Sequence, residues 1–228
     1  MKKKKLVITG SEGLIGRALV GHFEKEYEVA KLDRTLGHDL SDEAFVKRWF
    51  SENKGLYGMI VCHAYNPVPT ANAKKVEPTD VPLSEVRDYL EVNVVSAFSV
   101  CREFIKNNSV GTIVNLSSIY GVVSPRHEMY TDFVKHVGYP MSKASIIMLS
   151  KYLATYYAPN IRVNTVVFGG IEDSKQSPDF VKKYNAEVPA KRMMRIEETL
   201  SVFDFLLDER SSYVTGTEVH VDGGWTAW

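Results

Sequence analysis

Tyr139 and Lys143 stand four residues apart in Tyr139-Pro140-Met141-Ser142-Lys143. On a helix, positions i and i+4 share a face. An ammonium held on that face favours the phenolate and draws the tyrosine pKa down from about 10. Such a tyrosine is a general acid/base tuned towards neutral pH. An exposed helix pair has the same spacing, so the neighbours must decide between the two. A second group is Thr9-Gly10-Ser11-Glu12-Gly13-Leu14-Ile15-Gly16. It follows the apolar run Leu6-Val7-Ile8 and precedes an amphipathic stretch. Strand, glycine turn and helix together present backbone N–H groups and a helix N-terminus to a phosphate. Taken alone, the same glycines also make a plain strand-to-helix turn. Asp33 lies 17 residues after Gly16, near the distance at which a carboxylate accepts hydrogen bonds from an adenosine ribose. It favours a free 2′-hydroxyl, whereas Arg34 beside it could pair with a 2′-phosphate. NAD is therefore favoured, with NADP the second choice.

These groups need elements to position them. Short apolar runs at Leu6–Thr9, Glu28–Asp33, Met59–Cys62, Thr112–Leu116, Ile161–Val167 and Thr217–Val221 read as strands. Helical patterns fall at Leu14–Glu26, from an N-cap at Ser41 to Gly55, from Leu83 or Ser84 to Asn107, at Tyr139–Tyr157 and at Ile196–Leu207. Alternation of the two implies an α/β fold with a parallel sheet covered on both faces. Ligands of such sheets bind beyond the carboxyl ends of the strands, where Gly10, Asp33, Cys62, Ser118 and Phe168 fall.

With 228 residues and 44% hydrophobic composition, one domain spanning 1–228 with a substantial core is expected. Lysine plus arginine balance aspartate plus glutamate at zero net charge, so nothing global points to nucleic acid or an anionic membrane. No apolar run is long enough to span a bilayer. Cys62 and Cys101 make neither a disulfide framework nor a metal spacing, and no metal is expected. A cytoplasmic setting fits these features. Residues 66–82, with several prolines, read as a loop, and 169–195 as a substrate loop.

Motifs spread along the chain resemble those of the short-chain dehydrogenase/reductase family: the Thr9–Gly16 turn, Asn115-Leu116-Ser117-Ser118 with Gly121, Tyr139 with Lys143, Ile161-Arg162-Val163-Asn164, Tyr213-Val214-Thr215-Gly216, and Val221-Asp222-Gly223-Gly224. The resemblance implies a three-layer, Rossmann-like, doubly wound parallel sheet. It implies hydride transfer between nicotinamide and a carbonyl or secondary alcohol. Tyr139 would be the acid/base, Lys143 would hold the nicotinamide ribose, and Ser118 would hydrogen-bond the substrate oxygen. Asn93 would support a proton-relay water, and Asp39, with Leu40, would contact adenine. Gly169 and Ile171 would meet the nicotinamide. A homodimer or homotetramer through the helices at 84–107 and 139–157 is also implied. The alternatives are a sugar epimerase or dehydratase with transient cofactor use, and a nicotinamide-binding regulatory protein.

Four departures from the family pattern matter. Leu14 fills a usual glycine position and Gly13 stands one place early. Only six residues separate Asp33 from Asp39, too few for the usual helix and strand between them, so a six-stranded sheet is predicted. Cys62-His63-Ala64-Tyr65 replaces the usual Asn-Asn-Ala-Gly; Ala64 is kept, and His63 is read as structural or adenosine-side rather than catalytic. Finally, Ser118 and Tyr139 are 21 apart, longer than is usual in the family. The inserted Arg126, His127 and Tyr130 become candidate substrate contacts for a surface-sugar derivative. The aromatic Trp225-Thr226-Ala227-Trp228 tail is expected to pack on a neighbouring subunit or beside the substrate loop.

Overall fold

The computed structural model describes residues 3–67, 76–130, 134–174 and 176–228. Six strands, all parallel, run β1 (Lys4–Thr9), β2 (Tyr27–Leu32), β3 (Leu56–Val61), β4 (Gly111–Ser118), β5 (Ile161–Phe168) and β6 (Glu218–Val221), in the spatial order β2-β1-β3-β4-β5-β6. The order reverses between β1 and β3, which opens a crevice at their carboxyl ends. Seven α-helices are described: α1 (Leu14–Phe23), α2 (Glu43–Glu52), α3 (Leu83–Leu90), α4 (Ser96–Asn107), α5 (Gly138–Tyr157), α6 (Pro178–Glu187) and α7 (Ser201–Leu207).

Side chains alternate across the sheet, as a strand's period of two requires. Val7, Met59, Val61, Ile113 and Val163 face one core with α2, α4 and α5. Leu6, Ile8, Ile60, Val114 and Val166 face the other, under α1 and α7. Burying each such side chain contributes about 1.5–3 kcal/mol. Every residue of β5 is buried, so this strand is covered on both faces.

A single short turn leads from β2 to the Asp39 region. Arg34–Leu36 form a 3₁₀ turn. Gly37 ends it at φ +82° and the His38 N–H returns to the Asp33 carbonyl at 3.1 Å. The six-strand expectation therefore holds.

Local boundaries differ from the sequence reading in three places. Asp42, not Ser41, caps α2, because its carboxylate accepts from both the Ala44 and Phe45 N–H groups while the Ser41 N–H is spent on Asp39. The helix expected to run unbroken to Asn107 widens into a π segment at Glu91–Val95 between α3 and α4. The stretch 196–207 divides into a 3₁₀ turn, Ile196–Thr199, and α7.

Candidate active site

The crevice at the β1–β3 switch holds a cleft of about 390 Å³. Gly10, Gly13, Asp33, Arg34, Asp39, Leu40, His63 and Ala64 all line it. Gly10 takes φ +64°, and a Cβ there would come within 2.7 Å of the His63 backbone. At Gly16 a Cβ would lie 2.0 Å from the Gly10 carbonyl oxygen. Glycine at both positions lets the turn fold onto β3 and onto itself. Gly13 caps α1 with no side-chain hydrogen bond, so the helix offers its first N–H groups bare. Ser11 is fully buried and its hydroxyl has no protein partner. An uncapped helix terminus beside an orphaned hydroxyl suits a pyrophosphate group. Leu14 is exposed, and Ile15 packs on the α1-side core.

Asp33 ends β2. Its carboxylate accepts from the Glu12 N–H at 3.0 Å and from the Thr35 N–H and hydroxyl at 2.9 and 2.8 Å. Burial alone would raise its pKa, but these hydrogen bonds outweigh it and hold the group ionised. Arg34 is exposed beside it. Asp39 is exposed and accepts from the Ser41 N–H at 3.0 Å. The Leu40 side chain is buried in the core, which leaves its backbone to face the cleft.

His63 is a strut. Thr9 Oγ1 accepts from the Cys62 N–H at 3.1 Å and, because the neutral His63 ring carries its hydrogen on Nε2, donates to His63 Nδ1 at 2.7 Å. His63 Nε2–H then donates to Ser96 Oγ at 2.8 Å, and Ser96 donates to the Val92 carbonyl. Burial, with repulsion from Lys143, lowers the His63 pKa to about 4. The ring stays neutral and ties β1, β3 and α4 together.

Across the crevice, β4 ends at Ser118. Its Oγ accepts from the Tyr120 N–H at 3.2 Å and hydrogen-bonds the Tyr139 side chain. Tyr139 sits in the first turn of α5, half-buried, against a cluster that includes Tyr120, Met129, Tyr184 and Trp225. One turn on, Lys143 is 6% exposed. Its Nζ donates to the Leu116 carbonyl at 3.1 Å and stands 5.8 Å from the Tyr139 ring centroid. The lowered tyrosine pKa expected from this pair is not found. Burial raises the Tyr139 pKa, opposed by the Ser118 hydrogen bond. The same burial lowers Lys143 to about 8, so the low-dielectric surroundings penalise both charges.

Asn93, centred in the π segment, is 2% exposed. It accepts from the Tyr65 N–H, and its amide donates to the Tyr65 carbonyl at 3.0 Å and to Ser142 Oγ at 2.9 Å. Its side chain thus fixes the loop after β3 and the start of α5, beside the pair it was expected to serve.

The inserted segment divides its residues between different partners. Arg126 pairs with Glu187 of α6 and lies 5.5 Å over the Trp225 ring. Tyr130 meets the Tyr120 hydroxyl at 2.6 Å and packs near Phe180. His127 is exposed. Sequence reasoning overlooked Lys135, whose Nζ lies 4.3 Å over the Tyr139 ring. Trp225 is 4% exposed and stacks on Tyr184 of α6 at 4.7 Å, beside the expected substrate loop, whereas Trp228 is exposed. Gly169 bonds β6 through the Val221 carbonyl at 3.0 Å. Ile171 bridges to Met194, and its carbonyl accepts from Gln176 at 2.9 Å. Among the described residues, no group of three metal-ligating side chains converges and no helix is long and apolar enough to cross a membrane.

The comparisons with known proteins agree with this geometry. A family model described as enoyl-(acyl carrier protein) reductase matches residues 15–226. The post-translational flagellin modification protein A of Campylobacter coli is 32% identical over 217 residues, 91% of this chain and 81% of that protein. A 3-oxoacyl-[acyl-carrier-protein] reductase of Aquifex aeolicus is 31% identical over 227 residues, 96% of this chain and 86% of its own length. The crystal structure of a short-chain dehydrogenase from Leptospira borgpetersenii with bound NAD+ superposes with a TM-score of 0.87 at 29% identity, covering 99% of this chain and 94% of the other. The overall fold is thus shared with a solved short-chain dehydrogenase, and the chain is an oxidoreductase of the short-chain dehydrogenase/reductase family.

Proposed function

We propose that the protein binds NAD in the crevice and moves a hydride between its nicotinamide and a carbonyl or secondary alcohol carbon on a polar, sugar-like substrate. The observation that carries this reading is Ser118, at the carboxyl end of β4, close enough to Tyr139 to lower its pKa, with Lys143 one helical turn on and its Nζ on the Leu116 carbonyl. The cofactor, when bound, supplies the hydride chemistry. Gly10 to Gly16, with the Ser11 hydroxyl, would hold its pyrophosphate. Asp33 would accept from the adenosine ribose, and Asp39 and Leu40 would border adenine. His63 and Ala64 would form the wall between, and Gly169 and Ile171 would meet the nicotinamide end.

Ser118 orients the substrate oxygen, and Tyr139 gives or takes its proton. Lys143, charged at neutral pH with its pKa near 8, offers the positive potential that a transient phenolate needs. Asn93 positions these groups through Tyr65 and Ser142. NAD is preferred to NADP because ionised Asp33 repels a 2′-phosphate. A sugar derivative is supported by likeness to a glucose 1-dehydrogenase of Gluconobacter oxydans, 29% identical over 260 residues. Residues 169–195 cover the substrate. Exposed Met148, Tyr152 and Tyr156 on α5, with Val95 and Phe98 before and on α4, would join subunits into a dimer or tetramer.

Tyr139→Phe tests the reading. It should lower kcat by at least about 10³-fold, the scale of general acid–base loss, with the NADH dissociation constant unchanged. Retained turnover, followed by nicotinamide absorbance, would falsify the assignment. Absence of net cofactor turnover with any alcohol or ketone, beside sugar interconversion, would favour an epimerase.

A further inference from the structure

Lys135 lies within the segment that lengthens the path from Ser118 to Tyr139. Its side chain is half-buried. One donor reaches Asn66 Oδ1 at 2.7 Å, in the loop after β3. The ammonium stands over the face of the Tyr139 ring, 4.3 Å from its centroid. Such a cation–π contact strengthens as the cation is desolvated. An ammonium has three donors, and the partners found for it among the described residues, a neutral amide and a ring face, carry no formal negative charge. Among the described residues, no carboxylate lies within ion-pair distance of it. Arg126 in the same segment, by contrast, is matched by Glu187.

Lys143 approaches the same ring, 5.8 Å from the centroid. Two cations therefore bracket the residue that handles the substrate's proton. Both are held near a pKa of about 8 by burial, so their surroundings favour an arriving negative charge. Among the described residues, the carboxylate nearest in the surrounding elements is engaged elsewhere. Asn66 is an amide, and the neighbouring His136 stacks on Tyr89 at 4.5 Å with Glu85 on its far nitrogen at 3.3 Å.

We propose that Lys135 is a substrate-specificity residue: its ammonium, held between the Tyr139 ring and the Asn66 amide, recognises a carboxylate or phosphate on the substrate. This rests on the hydride-transfer reading above and narrows it to anionic carbonyl or alcohol compounds. Because the ammonium sits on the ring face rather than in the cradle, it selects substrate and leaves the cofactor alone.

Two matched pairs test the idea by calorimetric titration into the NADH-loaded protein: glucuronate against its methyl ester, and glucose 6-phosphate against glucose. Used as their methyl glycosides, which have no free aldehyde carbonyl, they meet the reduced cofactor as alcohols and report binding without turnover. At least one anionic member should bind about tenfold tighter than its neutral partner, the scale of one charge-assisted hydrogen bond. The first pair reads the carboxylate and the second the phosphate. Lys135→Gln should erase the difference, and Lys135→Arg should keep most of it. NADH affinity, read by fluorescence, should be equal in all three proteins. Equal binding within both pairs, or no binding of any probe, overturns the proposal. So does a preference that persists in Lys135→Gln, or a loss in that variant that falls equally on charged and neutral members. Failure to bind NADH at all instead removes the hydride-transfer reading itself, and the Lys135 role with it.

Discussion

At the β1–β3 end the crevice is walled by backbone. Gly10 presses on the His63 main chain, the α1 terminus is bare, and one buried chain of hydrogen bonds from Thr9 through His63 to Ser96 locks the wall. Beyond β4 the wall is made of side chains. Tyr120, Met129, Tyr184, Val188 and Trp225 form their own buried cluster, with Tyr130, Tyr139 and Phe180 packed against it. These residues come from the β4 end, the insertion, α5, α6 and the tail. The first wall presents fixed dipoles to a constant chemical group. The second can be recut residue by residue without touching the first. On the proposed reading, this division would separate the holding of the cofactor's phosphate and adenosine parts from the choice of substrate.

The two walls should break differently. Gly16→Val sets a branched side chain where even a Cβ lies 2.0 Å from the Gly10 carbonyl. The turn must move, and a loss of more than about 3 kcal/mol is expected. In a urea titration the midpoint should fall sharply, and NADH fluorescence enhancement should vanish. Trp225→Ala opens the aromatic cluster. It should cost about 3 kcal/mol, the lower end for deleting a buried tryptophan. Its kinetic signature should be confined to substrate KM, with the NADH dissociation constant unmoved. A parallel loss of NADH affinity would show that the walls are not independent.

A third difference is a response to acid. His63 has a folded-state pKa of about 4, below the ordinary 6.5, because burial disfavours the imidazolium. Between those values the unfolded chain takes up a proton that the folded chain refuses. The stability contributed by neutral His63 is complete above pH 6.5 and declines as pH falls towards 4. The decline reaches about 3 kcal/mol by linkage. Unfolding midpoints measured from pH 7 to pH 4.5 should show this slope, and His63→Gln should flatten it. The smallest effect belongs to Asp33→Asn. Removing the carboxylate charge should narrow the NAD-over-NADP ratio of kcat/KM by about tenfold, or 1.4 kcal/mol. An unchanged ratio would place cofactor choice elsewhere.

The backbone wall was the legible one. A glycine that must adopt positive φ, a strand ending in aspartate and a six-residue gap are local facts, and each predicted its element correctly. Tyr139 and Lys143 were readable because residues four apart on one helix share a face, whereas Ser118 joined them only through the family resemblance. The side-chain wall was not. Arg126 was expected at the substrate, but Glu187, 61 residues away, claims its guanidinium. Lys135 carries no motif; only the folded path of the insertion lays it on Tyr139. The pKa of Tyr139 was misjudged because spacing reports the nearby charge, whereas burial depends on the whole surrounding structure. Asn93 and Ser96 sit where the helix widens, and the polar contacts they make with distant segments leave no periodic trace.

The short turn after Asp33 leads away from the sheet's border. β2 is an outermost strand, with its amides and carbonyls on one side open to pairing by any extended chain. It is six residues long, and Glu28 and Lys31 stand exposed on it. Lys31 is tied to Glu24 at 2.7 Å. The opposite border, β6, is four residues long. Brevity and charge at both margins discourage strand addition, so the economy that opens the adenine side is guarded against aggregation by the same few residues that expose it.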